Sequence, residues 1–339
     1  MNKKILTVLK ALAKLLIAGV LIYWVAGREW KKIAELISSV NPVWIILCFL
    51  TLFIQAVGTA IRWRSLIAPE LHVTLYDAFR LTMIGLFSNI FIPGGAVGGD
   101  VVKAAFLSAR TEAGKRVDAA ISVLVDRIVG LIGLFLLNLF LAALYLKKIL
   151  ALDAATRYIV FLLCLMCIAG IAVSFIIFFQ DFIFRWKPAK MLLDWADRWM
   201  KGIPGNIIRS VSSYRSRWKT VFRNILFSML ILHPLLMLSI YFALFGVLQN
   251  PPDAGLTMTA MAFGNSASAL PITPGGIGTR DYVVKILLSG WGLNESSAAA
   301  AMMIYTSMML LLNLFSGIGF FLPGDKISGK MDQEKNSSN

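Results

Sequence analysis

Runs with almost no charged side chain recur along the chain at lengths near the ~20 residues that a membrane-spanning helix needs. Five are clear: Val43–Ile61, Ile128–Leu146, Tyr158–Gln180, Asn224–Leu248 and Ser296–Gly324. A sixth, Ile5–Ala26, carries Lys10 and Lys14 near its start, where long side chains reach the interface and leave Leu15–Ala26 in hydrocarbon. It reads as a retained anchor, because Ala26-Gly27-Arg28-Glu29-Trp30 is a poor cleavage site and further spans follow. Two more runs, Leu81–Gly99 and Ala254–Thr279, are uncharged and long enough to enter a bilayer, yet each contains Pro-Gly-Gly, which interrupts a helix. They are expected to be re-entrant hairpins, two half-helices meeting at a broken tip. The pattern therefore predicts an all-α polytopic membrane protein with about six full spans and two hairpins.

Composition supports this class and charge orients it. Hydrophobic residues make up 58% of the 339 and charged residues 15%, against about 25% charged in soluble domains. The mean hydropathy is +0.76. Aromatic content excludes a disordered chain, and three Cys exclude a disulfide scaffold. The net charge of +15 would suggest nucleic acid in a soluble protein, but here it follows the loops, and no nucleic-acid partner is expected. With a cytoplasmic N-terminus, 24 of the 33 Lys and Arg fall inside and 6 outside, so both termini are expected in the cytoplasm. Counting the broken runs as full crossings would place 103–116 outside and spoil that bias. The predicted layout is one transmembrane domain over 1–324, with a first hairpin at 81–103, a second at 254–285 and a polar tail at 325–339. Between the spans, 181–223 has Leu192, Trp195, Ala196 and Trp199 on one helical face and basic residues around it. It reads as an amphipathic helix on the cytoplasmic leaflet.

The two broken runs resemble each other. Pro93, Gly94, Gly95 and Asp100 recur as Pro274, Gly275, Gly276 and Asp281, each offset by 181 positions. Each hairpin lies between two spans, and the two units begin on opposite faces of the membrane, so they form inverted repeats. Paired Gly/Pro-interrupted segments in inverted repeats point to a transporter with a midplane site. Glycines that merely allow close helix packing are the alternative, although packing gives no reason for an Asp in both copies.

A helix restarting after each Pro-Gly-Gly would bring unpaired N–H groups and about half a positive charge into the membrane, a natural seat for phosphate. Gly94, Gly95, Gly98 and Gly99 in one copy, and Gly275, Gly276 and Gly278 in the other, leave the backbone open to such an anion. Arg280 adds a forked cation, whereas the first copy has no Arg at the matching place, only Lys103 further along. Buried charges in lipid cost about 2.5–3.5 kcal/mol each, which makes Asp126 and Arg127 functional candidates too. Neighbouring residues point about 100° apart on a helix, so Arg127 is expected to pair with Asp100 or Asp281 rather than with Asp126. Such a pair could bind substrate or simply lock a hairpin to a span. Gln55 and Asn138 are expected to bond between helices.

Other motifs lose their meaning in context. Gly94 to Asp100 resembles a dinucleotide loop but follows no strand, so no nucleotide or other cofactor is expected. Cys164 and Cys167 sit mid-span and read as packing, and two His support neither a metal centre nor a catalytic triad. His233-Pro234 predicts a kinked span.

The segments FSNIFIPGGAVGGDVVKAAFL, ISVLVDRIVGL and LPITPGGIGTRDYVVKILL, in that order, resemble the lysylphosphatidylglycerol synthase transmembrane family, also called flippase-like domain proteins. The resemblance covers roughly Leu6 to Leu322. It implies a hairpin-containing bundle that moves or presents a phospholipid or polyprenyl-linked lipid. Gly94, Gly95, Gly98, Gly99, Asp100, Asp126, Arg127, Gly275, Gly276, Gly278 and Arg280 fall on its motif positions. Relatives commonly have Glu where this chain has Asp281, one methylene shorter. Members that aminoacylate lipid carry a further soluble acyltransferase domain, whereas this chain ends in a short polar tail, so a transporter rather than a synthase is expected. The expected partner is a lipid with an anionic head group in the inner (plasma) membrane. A membrane enzyme using Asp100, Asp126 or Asp281 as acid or base on a lipid-linked substrate is the alternative, and a structural or signalling protein a third.

Overall fold

The computed structural model describes residues 35–67, 71–92, 96–178, 191, 211, 213–250, 252–270 and 273–324. The expected span Ile5–Ala26, Gly94 and Gly95, most of the amphipathic stretch 181–223 and the tail 325–339 lie outside the described residues.

Among the described residues the fold is entirely helical, and five helices are long and apolar enough to cross a membrane. They correspond to the five clear runs, with ends set by caps rather than by the edges of the charge-free windows. Helix α1 (Pro42–Leu66) starts where Asn41 accepts the Val43 N–H at 2.9 Å, with Pro42 in the first turn, where a missing N–H costs nothing. It runs past Ile61 because Arg62 turns inward, and it ends where Arg217 donates to the carbonyls of Ser65, Leu66 and Ile67 at 3.1–3.2 Å. Helix α2 (Leu75–Phe91) and helix α3 (Ala96–Arg110) form one antiparallel pair. Helix α4 (Arg116–Leu144) follows, then a short turn of helix, α5 (Leu146–Leu150), and α6 (Ala154–Phe178). The next span starts at α7 (Trp218–Phe227), six residues before the expected Asn224, and continues as α8 (His233–Leu248). Between them Ser228–Leu232 is a π-helical turn. The Pro234 ring removes a backbone donor there, and the wider turn absorbs the misfit, which is the physical form of the expected kink. Helices α9 (Ala254–Ser268) and α10 (Thr279–Gly290) make the second antiparallel pair, and α11 (Glu295–Phe315) closes the bundle.

Lipid is the solvent this surface fits. In α6 only 22% of the apolar stretch is buried inside the bundle, and Phe161, Leu165, Ile168 and Phe175 stand outward. In water such a face would be an aggregation site. The interior is built instead from small residues. Ala298 to Ala301 on α11 and Ala260 to Phe263 on α9 are fully buried, which puts the second helix pair at the heart of the molecule. The first pair lies to one side with its own cluster around Trp63, Leu81, Ile84 and Leu107. Close approach explains several glycines: a side chain on Gly99 would collide with the Gly85 carbonyl and Asn89, and one on Gly264 would meet the Arg280 backbone at 3.1 Å.

The two helix pairs enter from opposite ends of the bundle. The open end of the first lies at the start of α4, where Ser108 bonds the Arg116 carbonyl and Arg80 the Leu322 carbonyl. The open end of the second lies at the other end of α4, with Gly255 against Tyr145 and Trp291 donating to the Lys148 carbonyl at 3.1 Å. The spans that precede the two helix pairs, α1 and α8, pack antiparallel through Trp44 on Phe245 and Gly58 on Leu232. Both pairs are longer than the expected hairpins: 75–110 where 81–103 was expected, and 254–290 where 254–285 was. Asp77 and Arg80 are taken up at the first base by Thr74 and the Leu322 carbonyl, and Lys285 pairs with Glu295 at 3.4 Å.

Candidate functional site

A cavity of about 310 Å³ opens between the tips of the two pairs, the second half of α1, the middle of α4 and the first turn of α8. Its wall carries Arg62 from α1, Asp100 and Lys103 from α3, and Asp126 and Arg127 from α4. Helical geometry gathers them. Arg62 is reached from Gln55 and Thr59 by steps of four and three residues, so the three make a polar stripe on one face of an apolar helix. Asp100 and Lys103 are likewise one turn apart on α3.

Asp126 serves two cations. Its Oδ1 accepts from Arg62 Nε at 2.8 Å, and its Oδ2 lies 3.6 Å from Lys103 Nζ. These three side chains are only 4–8% exposed. Arg62 also donates to Ser228 at 2.9 Å, at the π-helical turn, and the Lys103 ammonium sits 3.6 Å over the Trp63 ring. Arg127 points elsewhere, as neighbouring helical positions must, and pairs with Asp100 at 2.9 Å. This pair is far more open, at 24% and 31% exposed. Among the described residues three cations face two carboxylates, so the cavity carries a surplus positive charge.

Neutral polar groups complete the wall. His233 Nε2 lies 2.9 Å from the Gly130 carbonyl; a carbonyl only accepts, so in the neutral ring the proton is on Nε2 and Nδ1 is an acceptor. Nδ1 is buried and without a partner, as is the Nδ2 donor of Asn265, a residue 94% buried. Asn89, also on the wall, accepts the Gly99 N–H at 2.9 Å and so pins the start of α3.

The second motif is organised differently. Gly275, Gly276 and Gly278 have φ of 61°, 72° and 86°, left-handed values that side chains resist, and Gly276 packs onto Ser268. Their conformational role is to fold the tip. Asp281 accepts the Gly278 N–H at 3.1 Å, so α10 begins on its own carboxylate. Arg280 lies along the same carboxylate at 3.0 Å, donates to Thr306 at 2.8 Å and to Met309 sulfur at 3.3 Å, and stacks over Tyr305 at 4.6 Å. Only 2% exposed, it faces α11 and is absent from the cavity wall.

The structure thus brings Asp100, Lys103, Asp126 and Arg127 into one site and holds Arg280 and Asp281 in a separate closed network. Gly98 and Gly99 meet Ile92 and Gly85 rather than open space. Asn138 bonds Ser266 across helices at 2.9 Å, whereas Gln55 bonds Thr59 within its own helix at 3.2 Å and lines the cavity. Sequence reasoning missed Arg62, His233 and Asn265. The polar spacing from Gln55 to Arg62 is the signal that would have found the first.

A family model described as the lysylphosphatidylglycerol synthase TM region matches residues 11–317. The chain belongs to this family. A UPF0104 membrane protein of Pyrococcus horikoshii is 28% identical over 137 residues, which are 38% of this chain and 40% of that protein. The alignment therefore spans well under half of the relative's length. The matched range includes both helix pairs and every cavity residue named above.

Proposed function

We propose that the protein is a flippase, translocating an anionic phospholipid or polyprenyl-linked lipid across the inner membrane, with both termini cytoplasmic. The two helix pairs are re-entrant hairpins dipping in from opposite faces, and the head group occupies the cavity between them while the tails stay in the bilayer. The observation that carries this reading is the surplus positive charge on the wall, with Arg127 accessible and held by only one carboxylate. A phosphate arriving there replaces Asp100 as the partner of Arg127. Because Asp100 belongs to the first hairpin and Arg127 to α4, the exchange loosens that hairpin, and binding favours one arrangement of the bundle over another. Asn265 as donor and His233 Nδ1 as acceptor suit the hydroxyl groups of a glycerol or sugar head group.

Acid–base chemistry on a lipid-linked substrate fits less well. It needs a carboxyl free to take or give a proton, and Asp100, Asp126 and Asp281 are each engaged by a cation.

Vesicles containing the protein and fluorescently labelled phosphatidylglycerol test the proposal. Transbilayer movement is expected to exceed that in empty vesicles, with lipid mass unchanged, and Arg127→Gln to slow it about tenfold or more, the worth of one charged hydrogen bond. Equal rates in all three preparations would overturn it; a new lipid mass would replace it with the enzyme reading.

A further inference from the structure

At the open end of the first hairpin, away from the cavity, two guanidinium groups converge. Arg80 stands on α2 and is only 4% exposed. Its Nε donates to the Leu322 carbonyl at 2.7 Å, which leaves Nη1 buried without a partner. Arg110, the last residue of α3, also has a buried, unpartnered Nη1. Both Nη1 atoms abut Gly324, where a side chain on that residue would lie, so two like charges sit side by side in a cradle kept open by a missing Cβ. Asp77, one turn before Arg80, is held by Thr74 at 2.7 Å and adds one negative charge nearby, with its other oxygen unpartnered. Tyr76 donates to the Pro323 carbonyl at 3.0 Å, closing the rim. Among the described residues, two cations against one anion leave the cradle positive.

We infer that Arg80 and Arg110 form a second anion site, distinct from the cavity, that takes a phosphate group and clamps the base of the first hairpin to the end of the last span. Adjacent planar guanidiniums, each with an N–H to give, match the several acceptor oxygens of a phosphate better than one short carboxylate. The positive-inside bias places this end at the cytoplasmic leaflet, rich in anionic lipid, so a lipid head group and soluble phosphate are two sources of the same chemistry. Phosphate here removes the repulsion between α2 and α3 and ties both to Leu322 and Gly324, so it restrains the hairpin whose movement the central site needs.

The test uses the full chain in maltoside detergent, with the thermal midpoint read against inorganic phosphate at constant ionic strength, and against phosphatidic acid with phosphatidylcholine as control. The midpoint is expected to rise with phosphatidic acid. A matching rise with inorganic phosphate assigns the site to phosphate in general, and none assigns it to the head group. Arg80→Gln with Arg110→Gln is expected to weaken the apparent affinity about tenfold or more. Gly324→Val is expected to do the same with both arginines in place, by filling the cradle. All of these are measured in an Arg127→Gln background, so that phosphate binding in the cavity does not contribute, and the exposed Lys147→Gln keeps the response. The inference is overturned if neither probe raises the midpoint, or if the response survives both the double variant and Gly324→Val.

Discussion

Asp126→Asn is expected to destabilise the protein by about 3–5 kcal/mol, the usual cost of removing the shared partner of buried ions. Arg62 and Lys103 would then face each other at 4–8% exposure with no carboxylate between them. Since folded domains keep only about 5–15 kcal/mol in hand, the expected signature is a large drop in the melting midpoint and loss of the monodisperse peak in detergent. Lys103→Met makes the contrast. It leaves Arg62 and Asp126 as a neutral pair and replaces the lysine stem over Trp63 with an apolar chain of similar length, so its expected cost is about 1 kcal/mol. The same variant removes the cavity's surplus charge, so lipid movement is expected to fall although the fold survives. Equal stability losses in the two variants would show that Asp126 is not the shared counter-ion.

The second large effect concerns the other motif. Asp281→Asn strips Arg280 of its one carboxylate contact among the described residues, at 3.0 Å, and weakens the cap on Gly278, so a loss of about 3–5 kcal/mol is again expected. Arg280→Met with Asp281→Leu is expected to recover most of it, because well-packed apolar groups commonly replace buried ion pairs at little cost, less about 1 kcal/mol for the lost cap. Lipid movement separates the roles of the two motifs. If Arg280 serves only the fold, the double variant moves lipid at a rate close to the unmodified protein; if it reaches the head group, transport fails although stability returns.

How much of this was legible in the sequence depended on which physical signal each feature left. The five spans were, because a lipid-facing helix such as α6 needs apolar residues all round and leaves a long uninterrupted run. Their ends were not, because Arg62 is a charge that turns inward, and a window that stops at the first charge stops too early. That one helix ends before each Pro-Gly-Gly and another starts after it was visible; the 100° step between neighbouring helical positions turned Arg127 away from Asp126 but left Asp100 and Asp281 open, and the structure has Asp100. The role of Arg280 was hidden. Which face of α10 meets α11 decides whether it sees a ligand or Thr306 and Tyr305, and spacing within one short helix does not fix that rotation. The glycines were half legible: positive φ at Gly275, Gly276 and Gly278 answers to the tip, whereas Gly99 answers to Gly85 and Asn89 ten or more residues away.

A cryo-electron-microscopy density map of the protein in a phosphatidylglycerol nanodisc bears most directly on the central claim. The account predicts head-group density in the cavity, its phosphate within hydrogen-bonding reach of Arg127, with acyl chains leading out into the bilayer. Lipid density confined to the outer faces of the helices, with the cavity holding only water and the Arg127–Asp100 pair intact, would contradict it.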